Sequence, residues 1–121
     1  MLEGTLLAES LRVGATVDDL PMRVRRISRY RVQDASADQP EIWTALEFEA
    51  EESAAADLAQ ALADALNQQG WYANFQSPSE SWVVFPGRIF RYPRGSAEGR
   101  AEAQAYGRLL AIPEGQLDWT V

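Results

Sequence analysis

The strongest constraint in this sequence is a pair of oppositely charged segments that both alternate with a period of two. Arginines recur in RVRRISRYRV (23–32), and glutamates recur in EIWTALEFEAE (41–51). Side chains two apart in a strand share a face, so each segment predicts a strand with one charged and one apolar face. The link DASADQP (34–40) is rich in turn-forming residues and ends in proline. The sequence therefore predicts an antiparallel hairpin that sets an arginine row against a glutamate row.

Trp43 is predicted on the charged face of this hairpin, next to Glu47 and near Arg29 and Arg31. An exposed tryptophan beside arginines is typical of an interface anchor. We therefore hypothesise that these four residues belong to a surface for a protein partner or for self-association. The alternative is that Trp43 lies over the sheet or is covered by residues 1–22. The predicted charged faces are Arg23, Arg25, Ile27, Arg29 and Arg31 on the first strand, and Glu41, Trp43, Glu47, Glu49 and Glu51 on the second.

Two helices are predicted outside the hairpin. Leu58, Leu62 and Leu66 repeat every four residues, which favours a helix with one apolar face between a Ser53 cap and Gly70. Ser96 is predicted to cap a second helix over about residues 97–111. Its apolar stripe would be Ala101, Ala105 and Leu109.

Five further segments have the alternation or the apolar runs of strands. Pro86-Gly87 suits either a tight turn or a bulge between 81–85 and 88–92. With these two segments counted as one bulged strand, the predicted order from Glu41 onward is strand, helix, strand, strand, helix, strand, which is that of a ferredoxin-like sandwich built on a split βαβ unit. We predict a single α+β domain over residues 1–121, with a mainly antiparallel sheet, two helices on one face and an N-terminal strand extension. The exact strand order stays open, because the hairpin occupies one side of a strand that is central in the ferredoxin-like sheet. The five segments are 4–13, 71–77, 81–85, 88–92 and 116–121.

Three residue types with versatile chemistry are absent. The chain has no cysteine and no histidine, and all 11 of its basic residues are arginine. These absences exclude thiol and imidazole nucleophile systems, Schiff-base lysines and the usual zinc ligands. The sequence therefore favours a protein that is not an enzyme, with no catalytic residue, cofactor or metal site. The glutamates of LEFEAEE (46–52) could suggest Mg²⁺ or Ca²⁺ binding, but the opposing arginines compete for their oxygens.

The segment WVVFPGRIFRYPRGS (82–96) mixes arginines with aromatic residues, as many nucleic-acid-binding strands do. The net charge is −7, however, and such a surface repels a phosphate backbone. We therefore interpret the segment as a strand that buries Phe90 and Tyr92, and we predict no nucleic-acid partner. The same charge suits a basic protein as partner, as in an acidic accessory or immunity-type protein.

No apolar run approaches the ~20 residues of a membrane span, and residues 1–10 do not read as a secretory signal. We therefore expect a cytoplasmic protein without a membrane partner.

The segments WYANFQSPSESWVVFPGRIFRYPRG (71–95) and AIPEGQLDW (111–119) resemble a set of small hypothetical proteins of high-GC bacteria. This resemblance implies no activity and assigns no site residue. A lysine-free, alanine-rich composition is in keeping with a high-GC genome.

Two functional hypotheses follow. The first is a non-enzymatic binding or interaction domain, and a homodimer through the open face of the sheet is one form of it. The second is a small-molecule-binding protein or enzyme with an aromatic-lined pocket between helices and sheet. The candidate pocket residues are Trp71, Tyr72, Trp82, Tyr106 and Trp119, and the same side chains would otherwise belong to the core.

Overall fold

A computed structural model describes residues 1–119 and contains one six-stranded sheet in which every neighbouring pair of strands is antiparallel. This confirms the α+β class. No helix among these residues is long and apolar enough to cross a membrane. The elements are β1 (Leu2–Leu7), β2 (Arg23–Arg31), β3 (Ile42–Ala50), α1 (Ala55–Ala65), β4 (Ala73–Gln76), β5 (Glu80–Phe85), β6 (Arg88–Pro93) and α2 (Ala97–Leu109).

The strand order is β2-β3-β1-β4-β5-β6, which does not confirm the ferredoxin-like order. β1 does not extend the sheet at an edge but lies between β3 and β4, where Leu2 is opposite Ala50 and Gly4 is opposite Phe75. The side of β1 that faces α1 carries the fully buried Leu2 and Leu6. Because β1 lies between β3 and β4 and beneath α1, these two side chains belong to the centre of the core on that face.

α1 covers one face of the sheet with the leucines that the sequence pattern predicted. Leu58, Leu62 and Leu66 are fully buried and pack with side chains from β1, β3, β4 and β5. The predicted Ser53 cap was wrong, because Ser53 lies in a 3₁₀ turn (Glu52–Ala54) that precedes the helix. The helix also ends at Ala65, before Gly70.

α2 packs on the opposite face, so the prediction of two helices on one face was wrong. In β5, Trp82 and Val84 belong to the cluster beneath α1, whereas Val83 and Phe85 pack with Ala103 of α2. Successive side chains of a strand point to opposite faces, so β5 is buried on both sides. The continuous apolar run in this segment was the sequence signal for such burial.

The second helix begins as predicted but buries a different stripe. The Ser96 hydroxyl accepts a hydrogen bond from the Gly99 amide at 3.1 Å, which confirms the cap. Ala103 and Gly107 face the sheet, whereas the predicted stripe residue Leu109 is exposed. Gly107 permits this close packing, because a Cβ there would lie 2.7 Å from the Leu117 side chain.

The predicted last strand over residues 116–121 is not found in the part that the structure describes. A 3₁₀ turn (Glu114–Gln116) is followed by an irregular segment to Trp119, and Val121 lies outside the described residues. Leu117 and Trp119 still contribute to the core, in the cluster beside α2.

The hairpin of β2 and β3 is confirmed, with a β-bulge in β2 that the alternation did not reveal. The register shifts between Val24 and Arg26, so the residues after the bulge change faces. Arg26 therefore pairs with Glu47 at 3.6 Å, while Arg29 lies opposite Thr44 on the side of α1. The prediction of one uninterrupted arginine row was wrong for this reason.

Candidate functional site

Within residues 1–119, no helix covers one region of the sheet, and we call this region the open face. It is the side of β1, β2, β3 and β4 that points away from α1. α2 and residues 112–119 pack mainly over β5 and β6 on this side, where their shared cluster contains Val83 and Phe85. Tyr30 of β2 remains 45% exposed, and Thr5 of β1 is also exposed. The open face therefore exposes Thr5 in the middle of the sheet and Tyr30 at its β2 edge, whereas Trp43 and Ala45 of β3 are buried on the same face.

A cavity of about 340 Å³ occupies the end of the open face nearest residues 32–40. We call it the aromatic cavity, because Tyr30, Trp43, Trp71 and Tyr72 line it. The rings of Trp43 and Trp71 lie 5.2 Å apart between centroids, tilted by 53°. Its polar lining consists of Thr5, Asp34, Asn74, Gln116 and Asp118.

A second cavity of about 510 Å³ continues along the open face, and we call it the charged trough. It shares Thr5, Asn74 and Asp118 with the aromatic cavity, so the two form one surface. The bulge places Arg25 and Arg26 here, with Arg25 3.5 Å from Glu3 and Arg26 3.6 Å from Glu47. Because these side chains remain largely exposed, each ion pair contributes little to stability and can rearrange for a partner.

Trp43 lies on the open face, as period-two counting predicted, but it is not an exposed anchor. Its side chain contacts Trp71, and its indole N–H donates a hydrogen bond of 2.8 Å to the Pro40 carbonyl. Only 8% of the residue is exposed. Trp71 and the link between β2 and β3 therefore contribute to its cover, and Leu7, from residues 1–22, lines the same cavity.

Two glutamines hold the walls of the aromatic cavity together. The Gln39 side-chain amide donates to the Gly70 carbonyl at 2.7 Å and to the Gln116 side chain at 2.9 Å. The Gln116 amide in turn donates to the Asp34 carbonyl at 3.1 Å. These bonds connect three segments that are far apart in sequence, so the cavity is held in one shape before any ligand binds.

Tyr72 forms the wall of the aromatic cavity that lies next to the irregular segment ending at Trp119. Its hydroxyl donates a hydrogen bond to the Gln116 carbonyl, and its ring packs edge-on against Trp119. Burial, followed by the negative charge of Asp118, raises the pKa of Tyr72 well above its ordinary value, although Arg100 opposes this effect. Tyr72 is therefore a neutral hydrogen-bond donor at physiological pH.

The four interface candidates do not share one surface. Trp43 and Glu47 lie on the open face, but Arg29 and Arg31 lie on the other side of β2 because of the bulge. The Arg29 side chain donates to the Thr44 hydroxyl at 3.1 Å, and Arg31 pairs with Glu41 at 2.6 Å.

The five pocket candidates are also divided. Trp71 and Tyr72 line the aromatic cavity, and Trp119 lines the charged trough. Trp82 is stacked on Phe75 beneath the α1 side of the sheet, and Tyr106 packs against Phe85 beside α2. The pocket between helices and sheet that the sequence suggested is thus filled by core side chains.

The arginines of residues 82–96 make contacts within the chain. Arg91 pairs with Glu80 and stacks over Trp82, 4.8 Å from the ring centroid. Arg88 lies 4.8 Å from the Phe90 ring. Tyr92 is buried as predicted and accepts a hydrogen bond of 2.7 Å from Trp119, whereas Phe90 is only partly buried against the cluster beside α2.

Sequence reasoning missed Asp34, Gln39, Gln116 and Asp118, which shape the aromatic cavity. All four lie outside the α-helices and strands, with Gln116 at the end of the 3₁₀ turn, in segments where neither periodicity nor a motif marks them. Only the fold brings them together. Within residues 1–119, no group of three or more acidic side chains is arranged to hold a metal ion.

No protein-family model, curated protein or solved structure matches this chain. The resemblance to hypothetical proteins of high-GC bacteria therefore stays a prediction, and any function must be argued from the geometry.

Proposed function

We propose that this chain is a non-enzymatic binding domain whose open face contacts another protein. The observation that carries the proposal is that, among the described residues, no helix covers the side of β1 and β3 that points away from α1, and two cavities lie there beside the exposed Thr5 and the partly exposed Glu47. Such a surface offers a binding site that is already formed in the free protein.

The composition of the open face supports this proposal. It combines aromatic rings at one end with exposed ion pairs at the other, and protein interfaces are enriched in aromatic residues and arginine. The exposed Tyr30 lies at the aromatic end, and tyrosine is enriched among residues that dominate binding energy.

Small-molecule binding is the second candidate function. The observation in its favour is the aromatic cavity, because about 340 Å³ falls at the small end of the range for ligand sites. A ligand of that size would occupy one end of the open face and leave the charged trough free.

Site-specific photocross-linking tests the proposal. A photoreactive phenylalanine analogue replaces Tyr30 in one variant and Ile27 in the other, and both are expressed in the native host. The two positions lie on opposite faces of β2, and Ile27 is the more exposed of the two, at 64%. We expect a discrete cross-linked protein from position 30 and none from position 27. Its mass distinguishes a second copy of this chain from a different protein.

A blocking variant provides the second readout. Thr5 lines both cavities, so Thr5→Arg should fill the surface between them and weaken the cross-linked complex at least about tenfold. Ile27→Arg adds the same charge on the other face and should leave the complex intact. Equal cross-linking from both positions, or none from position 30, would refute the proposed function.

A further inference from the structure

The aromatic cavity has a clear electrostatic preference. Asp34 and Asp118 line it, and no described lining residue is positively charged although the chain contains 11 arginines. Partial burial, together with the charges of Glu9 and Glu47, also raises the pKa of Tyr30, which lines the same cavity. The cavity is therefore a negative site within a sheet face that elsewhere pairs its charges.

The negative charge of the cavity distinguishes among three kinds of ligand, namely an anion, an uncharged apolar group and a cation. An anion would be repelled by both carboxylates. An uncharged apolar guest would displace water from them without supplying a hydrogen-bond donor, which costs free energy. A cation satisfies the carboxylates and is attracted to the face of an aromatic ring. Tyr30 is the most exposed of the aromatic residues that line the cavity, whereas Trp43 and Trp71 are buried.

The size and shape of the aromatic cavity favour a single cationic side chain as its ligand. A cavity of about 340 Å³ accommodates a small group, and it opens onto a broad surface rather than enclosing a ligand. A planar guanidinium stacks on aromatic rings and donates to carboxylates in pairs, whereas an ammonium acts as a hydrated point charge. The available chemistry therefore favours arginine over lysine.

We propose that the aromatic cavity binds an arginine side chain of a basic partner protein. This inference rests on the proposed function, since it names what the partner places in the open face. A different protein is favoured over a second copy, because two copies of a chain with net charge −7 repel each other.

The test measures binding of N-acetyl-arginine amide to the ¹⁵N-labelled protein by NMR. The signals to follow are the indole N–H groups of Trp43 and Trp71, which line the cavity. We expect both signals to shift with a dissociation constant on the order of millimolar, as suits so small a probe. N-acetyl-citrulline amide has nearly the same shape without the charge and should leave both signals in place, and N-acetyl-lysine amide should bind more weakly than the arginine probe.

Charge-removing variants locate the site. Asp34→Asn and Asp118→Asn should each weaken binding of the arginine probe by about fivefold. Asp57→Asn removes an exposed carboxylate from the first turn of α1, on the other side of the sheet, and should have no effect. Because Asp34 and Asp118 are exposed, these variants should keep their thermal unfolding midpoints.

The outcomes separate the two proposals. Equal binding of the arginine and citrulline probes, or no effect of either aspartate variant, would overturn the inference even if position 30 still cross-links a partner. Binding of the arginine probe without any cross-linked protein would overturn the proposed function and the partner arginine with it, and would identify a site for free guanidinium compounds.

Discussion

Replacing Trp43 distinguishes a structural role from the interface role that the sequence suggested. Trp43→Ala removes a ring that is 92% buried, its contact with Trp71 and its hydrogen bond to Pro40. Truncation of a buried tryptophan typically costs about 3–5 kcal/mol of the free energy of unfolding. Domains of this kind have only about 5–15 kcal/mol in total, so the variant should be severely destabilised.

Trp43→Phe is the matched control. It keeps most of the buried apolar surface and the ring contact but loses the indole donor. A typical hydrogen bond contributes about 0.5–1.5 kcal/mol net, so we expect a loss at or slightly above that range. Since both variants lack the indole hydrogen bond, the difference between their free energies of unfolding measures the contribution of packing.

Urea unfolding followed by far-ultraviolet circular dichroism is the appropriate assay, because it does not depend on the tryptophan that is removed. A loss below about 1 kcal/mol in Trp43→Ala, with unchanged cooperativity, would refute the structural reasoning. If that variant also lost the Tyr30 cross-link, Trp43 would be an interface residue after all.

Three further predictions concern single contacts. Gly4→Ala should lower the free energy of unfolding by about 1–3 kcal/mol, because the new Cβ would lie 2.6 Å from the Phe75 Cβ; an unchanged thermal midpoint would show that β1 can move aside. Burial raises the pKa of Glu9, but hydrogen bonds from the Thr44 amide and hydroxyl outweigh it and leave that pKa below its ordinary value. The Glu9 carboxylate therefore stabilises the fold at neutral pH, and this stabilisation is lost as the pH falls through its lowered pKa. In urea titrations, the difference in free energy of unfolding between the unchanged protein and Glu9→Gln should shrink between pH 7 and about pH 3. A difference that stays constant over this range would contradict the prediction. Ser96→Ala should lower the free energy of unfolding by about 1 kcal/mol, because α2 loses its N-cap hydrogen bond, and this loss is measurable as a lower urea midpoint. An unchanged midpoint would mean that water satisfies the Gly99 amide as well as the Ser96 hydroxyl does.

The sequence predicted the parts of the fold that local patterns encode. The β2–β3 hairpin, the leucine face of α1 and the Ser96 cap all depend on residues close together in the chain. The position of β1 could not be predicted in this way, because it depends on which distant strands its two edges find. The apolar run from Trp82 to Phe85 is typical of a strand buried on both faces, but we predicted both helices on one face, and α2 covers the other.

The candidate site was predicted less well than the fold. Trp71 and Tyr72 were identified as aromatic residues but could not be separated from Trp82, which lies on the other side of the sheet. A bulge of one residue was enough to move Arg29 away from Glu47, and no pattern in the arginine-rich strand distinguishes its two registers.

The central position of β1 also has a consequence for synthesis on the ribosome. β1 leaves the ribosome before both of its neighbours, yet Leu2 pairs with Ala50 and Gly4 pairs with Phe75. The β2–β3 hairpin can close early because its two strands are near each other, whereas β1 needs a strand made more than 60 residues later, from Ala73 onward, to complete its pairing. The walls of the aromatic cavity at Gln116 are made later still. A nascent chain therefore cannot bind a partner through this cavity until nearly all of the sequence described here has been translated, which protects the growing chain from premature association.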